Sequence, residues 1–147
     1  MDIKEKIHSL SEDLLKNIER LVVIDSQLGT PAEGMPFGPG PAKALDEALS
    51  IARELGFKTV NLDNYCGYAE IGEGDDIVGI AGHLDIVPAG GDWTYDPFAL
   101  TRKGDYVYGR GTTDDKGPVL EALYAMKLLR DSGIRLNKRV RLIMGCN

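Results

Sequence analysis

Cysteine, histidine and net positive charge are all scarce in this sequence. Its two cysteines, Cys66 and Cys146, lie far apart and form no C-x-x-C pair, so neither a disulfide framework nor a cysteine-rich zinc module fits. A reduced, cytoplasmic setting is the expectation. The only histidines are His8 and His83, which confines imidazole chemistry to two positions. Lys and Arg number 17 against 23 Asp and Glu, a net charge of −6, which argues against a nucleic-acid or anionic-membrane partner. The acidic balance suits a site that gathers cations and suits plain solubility equally well. No apolar run reaches the length of a membrane span, and the opening M-D-I-K-E-K-I-H lacks the apolar stretch of a signal peptide. Repeats and low-complexity tracts are also missing. What remains, 147 residues of which 43% are hydrophobic, is enough for one ordinary globular domain.

Apolar periodicity organises the chain. Leu14, Leu15, Ile18, Leu21 and Val22 recur at helical spacing, and Ser9 with Glu12 offers a capping box for that first helix. G-T-P-A-E-G-M-P-F-G-P-G-P is too rich in Gly and Pro for anything but a loop. A second helix is expected from Pro41 to Gly56, with Ala44, Leu45, Ala48, Leu49, Ala52 and Leu55 on its buried face. Three strand candidates follow, K-T-V-N-L, Y-C-G-Y-A-E-I and D-I-V-G-I-A-G, the last two joined by G-E-G-D as in a hairpin. R-K-G-D-Y-V-Y predicts a short hairpin, and a third helix runs from about Pro118 to Asp131, stopped by Gly133. The final K-R-V-R-L-I-M-G-C-N alternates Val140, Leu142 and Met144 with Arg139, Arg141 and Ile143, a strand with one buried face. Helices and strands alternate along the chain, which predicts an α/β layered domain.

Two constellations carry chemistry. The first is A-G-H-L-D-I-V-P, at the end of an apolar strand. Residues two apart in an extended chain share a side, so His83 and Asp85 can face one site at the C-terminal edge of a sheet. A zinc-bound histidine is commonly oriented by a carboxylate on its other ring nitrogen. H-x-D is a short pattern, however, and an ordinary strand-end histidine is its commoner source. His8 lies in a polar helix start and carries no role.

The second is Y-G-R-G-T-T-D-D-K-G-P. Adjacent Asp114 and Asp115 repel each other unless a cation or several donors neutralise them, and a divalent metal does so directly. The competing reading is a helix start whose dipole favours acids, which suits Asp115 better than Asp114. A phosphate cradle is excluded, since G-x-x-x-x-G-K-[ST] is missing and paired aspartates repel phosphate. V-P-A-G-G-D-W-T-Y-D-P-F is a loop whose Trp93, Tyr95 and Phe98 are expected to pack it onto the body, with no catalytic part.

Together, G-H-L-D-I-V-P-A-G-G-D-W-T-Y-D-P-F and Y-G-R-G-T-T-D-D-K-G-P resemble the signature of the metallopeptidase superfamily that includes aminoacylase, carboxypeptidase G, succinyl-diaminopimelate desuccinylase and the PepV-type dipeptidases. D-D-K-G-P, and F-G-P-G-P-A-K-A-L before a helix, are most similar to the PepV-like dipeptidases. The resemblance implies a zinc-peptidase-like catalytic domain, with a mixed sheet flanked by helices. It implies two Zn²⁺ per complete enzyme, or another divalent metal such as Co²⁺ or Mn²⁺, and a small peptide substrate. Carried over by motif, His83 is a ligand of one metal, Asp114 the bridging ligand, and Asp85 the residue that steers the ligand histidine and supports the catalytic centre. The Asp114–Asp115 peptide is expected to be cis.

The same resemblance places a Glu-Glu pair, general base and zinc ligand, directly after a strand ending like G-C-N. Residues 1–147 are therefore expected to be the N-terminal portion of the catalytic domain, without the lid domain and the remaining ligands. Two ligands hold zinc poorly beside the usual three or four, so this chain alone is expected to be inactive. Two other readings stay open: an amidohydrolase that deacylates N-acyl amino acids, and a non-catalytic remnant.

Overall fold

The computed structural model describes residues 2–147. It contains α1 (Ile3–Val22), α2 (Pro39–Glu54), β1 (Lys58–Leu62), β2 (Cys66–Ile71), β3 (Ile77–His83), β4 (Thr101–Lys103), β5 (Tyr106–Tyr108), α3 (Lys116–Asp131) and β6 (Arg139–Gly145). The α/β expectation holds, with a mixed four-stranded sheet in the order β1-β2-β6-β3 and β4-β5 as a separate hairpin.

Each helix starts earlier than its sequence pattern suggested. Asp2 caps α1, and its N–H donates to Glu5 at 3.1 Å, forming the capping box one turn or more before Ser9 and Glu12. Those two lie inside the helix, where Ser9 donates to the Lys6 carbonyl and Glu12 pairs with Arg102 at 2.8 Å. α2 begins at Pro39, the proline whose fixed φ suits the first helical position, and Pro41 is already buried in its first turn. α3 begins at Lys116 rather than Pro118. In each case the helix extends upstream of the polar or proline residue nearest its apolar run.

The larger correction concerns the sheet. The G-E-G-D segment does not make a hairpin of β2 and β3, because β6 lies between them. β6 pairs antiparallel with β2 (Ala69 opposite Leu142) and parallel with β3 (Ile80 opposite Leu142). The terminal strand is thus the best paired in the sheet, and its alternation explains why. Leu142 and Met144 are fully buried with Ala69, Leu45, Leu49, Leu120 and Leu123 in one core beneath the helices. Arg141 points to the opposite face, where it meets Glu70 at 2.7 Å and lies over the Tyr68 ring.

The two faces predict opposite outcomes at neighbouring positions. Leu142→Ala opens a cavity in the core and is expected to cost about 2–5 kcal/mol of unfolding free energy. Ile143→Ala, on the open face, is expected to change stability by less than about 1 kcal/mol. Urea melts of the two variants check this, and equal losses would contradict the assignment of faces.

Candidate metal centre

The sheet delivers His83 to its C-terminal edge. As the last residue of β3 it pairs with Gly145 of β6, and the ladder continues through Leu84 N–H to the Gly145 carbonyl at 2.9 Å. The second constellation arrives from the other side. A cis peptide joins Asp114 to Asp115, as the motif resemblance implied, and α3 starts immediately after it. The approach is close: a Cβ on Gly82 would sit 2.7 Å from the Asp115 carboxylate and 2.6 Å from Val119. Only glycine lets the helix start abut the strand end in this way.

His83, Asp85 and Asp114, the three residues singled out by motif, are brought together. The His83 Nδ1 lies 3.1 Å from the Asp85 carboxylate and 3.1 Å from the Asp85 carbonyl, and Nε2 lies 3.0 Å from Asp114 Oδ1. Asp85 is well covered, whereas the Asp114 side chain is 85% exposed and opens to solvent. Asp115 sits at the start of α3 but caps nothing with its side chain. Its Oδ2 accepts the His83 backbone N–H at 3.1 Å, so it fastens the histidine's main chain rather than serving the helix.

Both ring nitrogens of His83 therefore face acceptors. A neutral imidazole carries one N–H. If Nδ1 donates to Asp85, the Nε2 lone pair points at a carboxylate oxygen, and only a proton or a cation between them relieves the repulsion. This is the test of whether a metal suits the residues, and they fit it. Two donors on one tetrahedral ion at about 2.1 Å lie roughly 3.4 Å apart, within a few tenths of an ångström of the 3.0 Å found here. Among the described residues no group of three or more His, Cys, Asp or Glu is arranged to hold an ion; His83 and Asp114 are two facing donors.

The same carboxylates favour a proton on the ring. Burial alone would depress the His83 imidazole, but its hydrogen bond to Asp114 and the charges of Asp85, Asp115 and Asp114 outweigh that and raise it above its ordinary value. A raised folded-state value stabilises the fold below the unfolded value of 6.5, and this is lost as pH climbs through the folded midpoint.

The surroundings depart from the sequence reading in two places. Trp93 donates to the Ala89 carbonyl at 2.8 Å with Arg110 over its ring, and Tyr95 packs on Tyr108, so the aromatic loop packs on itself and on the β4-β5 hairpin rather than on the core. Lys116 stands out in no sequence pattern, yet it is fully buried, and burial pulls its ammonium down to about 8. The available signal was electrostatic: a lysine in the first turn of a helix opposes the helix dipole and needs a reason to be there.

Comparison with known proteins agrees with this geometry. Residues 79–147, which hold all three site residues, match Peptidase family M20/M25/M40. The chain is 41% identical over 150 aligned residues to the Beta-Ala-Xaa dipeptidase of Lactobacillus delbrueckii subsp. lactis, covering 100% of this chain and 32% of that protein. Its fold is similar to human carnosine dipeptidase 1 (TM-score 0.80, 26% identity, 96% of this chain and 33% of that one). It is also similar to the M20 family metallo-carboxypeptidase Sso-CP2 of Sulfolobus solfataricus (TM-score 0.73, 27% identity, 90% and 30%). The chain thus spans about a third of the length of the proteins it matches.

Replacing Asp114 by Asn removes the negative charge at Nε2 and lets an amide N–H face the ring instead. In metal-free D114N the His83 titration midpoint, followed by NMR, is expected to fall below that of the parent chain; an unchanged midpoint would contradict the charge arrangement. Motif and fold lead to one conclusion: from residue 79 onward this chain is similar to the peptidases of family M20/M25/M40, and over its whole length it is similar to about a third of the dipeptidase chains that it matches.

Proposed function

We propose that residues 1–147 are the N-terminal portion of the catalytic domain of a metal-dependent dipeptidase acting on short, unblocked peptides. The observation that carries this reading is the His83 imidazole held between Asp85 and Asp114 with acceptors at both nitrogens. The names of the relatives support the substrate class, and the metallo-carboxypeptidase among the similar folds supports the metal.

In this reading His83 contributes its Nε2 lone pair and Asp114 its exposed carboxylate to a site for Zn²⁺, two ions in the complete enzyme, with Co²⁺ or Mn²⁺ as substitutes. Bound there, a divalent cation supplies Lewis acidity that polarises an amide carbonyl and acidifies water. Asp85 keeps the proton on Nδ1, which fixes the ring's tautomer and makes Nε2 the better donor. Asp115, by holding the His83 N–H, keeps the ring from swinging away from the edge of the sheet. Donors from the rest of a longer protein would complete the set, so the 147 residues by themselves bind zinc weakly and turn over little substrate. Free Cys66 and Cys146 accord with a reducing cytoplasmic setting.

The test is a chimera in which residues 1–147 replace the matching segment of the Lactobacillus Beta-Ala-Xaa dipeptidase. It is expected to hydrolyse dipeptides in preference to N-acyl amino acids. His83→Ala and Asp114→Ala are each expected to reduce turnover by more than about 100-fold, since removing a principal catalytic electrostatic contact costs that much. Preference for N-acyl substrates would favour the deacylase reading, and full activity in either variant would overturn the assignment of ligands.

A further inference from the structure

Three hydrogen bonds form a closed ring beneath the site. The His83 N–H donates to the Asp115 carboxylate at 3.1 Å. The next residue of that helix start, Lys116, donates its Nζ to the Ile24 carbonyl at 2.7 Å. Two residues along, the Ser26 hydroxyl donates to the Leu84 carbonyl at 2.6 Å, which returns to the residue after His83. The Ser26 carbonyl also accepts from Ile86 N–H at 3.3 Å. Three segments distant in sequence, 24–26, 83–86 and 115–116, are thereby tied to one another pairwise.

The corners of the ring are costly to build. Ser26 and Lys116 are fully buried, which few polar side chains of the described residues are. An ammonium out of water is expensive unless it gains hydrogen bonds or a nearby charge; Lys116 gains the Ile24 carbonyl and the field of Asp25. The stem of Lys116 passes so close to Gly111 that a Cβ there would lie 2.8 Å from its Cδ, and Gly111 has φ +93°. A core that wanted only packing would place an apolar side chain here. A directional donor is retained instead, and it points at the connection that follows α1.

We infer that Ser26 and Lys116 are positioning residues: through the 24–26 strap they fix the His83 and Asp114 segments against each other and so preset the donor pair for a metal. The inference rests on the reading of His83 and Asp114 as ligands. Neither residue touches metal or substrate in this account. Their effect reaches the site through the main chain, His83 by way of Leu84 and Asp114 by way of Asp115 and Lys116.

The experiment uses the 147-residue chain and the variants Ser26→Ala, Ser26→Thr, Lys116→Met and, as a control, Ser50→Ala, a half-buried serine of α2 whose side chain bonds only to Glu54. The first readout is the ring ¹⁵N shifts of His83 in metal-free protein at one fixed pH, with circular dichroism to confirm folding. The second is Zn²⁺ affinity by competition with a chromophoric chelator. Ser26→Ala and Lys116→Met are expected to move the His83 ring signals and to weaken Zn²⁺ binding by about 10–100-fold, the usual cost of losing an outer support of a metal ligand. Ser26→Thr keeps a hydroxyl and is expected to restore both, and Ser50→Ala to alter neither. Should Lys116→Met fail to fold, Ser26→Ala decides alone. Folded Ser26→Ala with parental ring signals and affinity overturns the inference. Ring signals that move in Ser26→Ala while no chain binds Zn²⁺ sustain the positioning and overturn the metal reading instead.

Discussion

An imidazole with one proton and acceptors at both of its nitrogens is the constraint around which this structure is arranged. Neutral histidine satisfies one carboxylate and repels the other. The fold does not avoid the conflict; it enforces it, by closing a strand end, a helix start and the connection after α1 upon one another. Asp85 is sheltered and Asp114 is open, so the two contacts differ in kind. The inner one orients the ring, and the outer one leaves a place for positive charge facing solvent. The negative balance of the whole chain adds to the attraction at long range, though salt screens that contribution.

Packing supplies the rigidity that such an arrangement needs. β6 runs through the centre of the sheet, and its inner residues anchor the helical layer through Leu142 and Met144. The same strand carries Gly145 opposite His83, so the register that buries the core also sets the height of the histidine. A one-residue slip would turn the core side chains to the open face and move His83 off the edge. Core and site are therefore specified by one pairing, and the parallel ladder between β3 and β6 is where stability and function meet.

Much of this was legible in the sequence, and the misses have physical causes. Period-two alternation identified β6 and its buried face, and the joint H-x-D and D-D-K motifs identified the three residues that converge. Pairing partners were not legible: G-E-G-D looks like a turn between strands, but local chemistry cannot reveal that a strand over sixty residues downstream inserts between them. Helix starts are hard to place because Asp2, Pro39 and Lys116 precede the apolar periodicity beside Ser9, Pro41 and Pro118. The helix dipole at Asp115 is a local effect, while its hydrogen bond to His83 is a tertiary one. Ser26 gave no signal at all, since a serine in a connection is ordinary until its surroundings exclude water.

In the proposed function His83 offers Nε2, and not Nδ1, to a cation shared with Asp114. The decisive measurement follows both ring nitrogens of His83 by ¹⁵N NMR while Zn²⁺ is added. Nε2 is expected to shift as a metal donor while Nδ1 keeps its proton toward Asp85. A response at Nδ1, or no response at either nitrogen up to millimolar Zn²⁺, would contradict it.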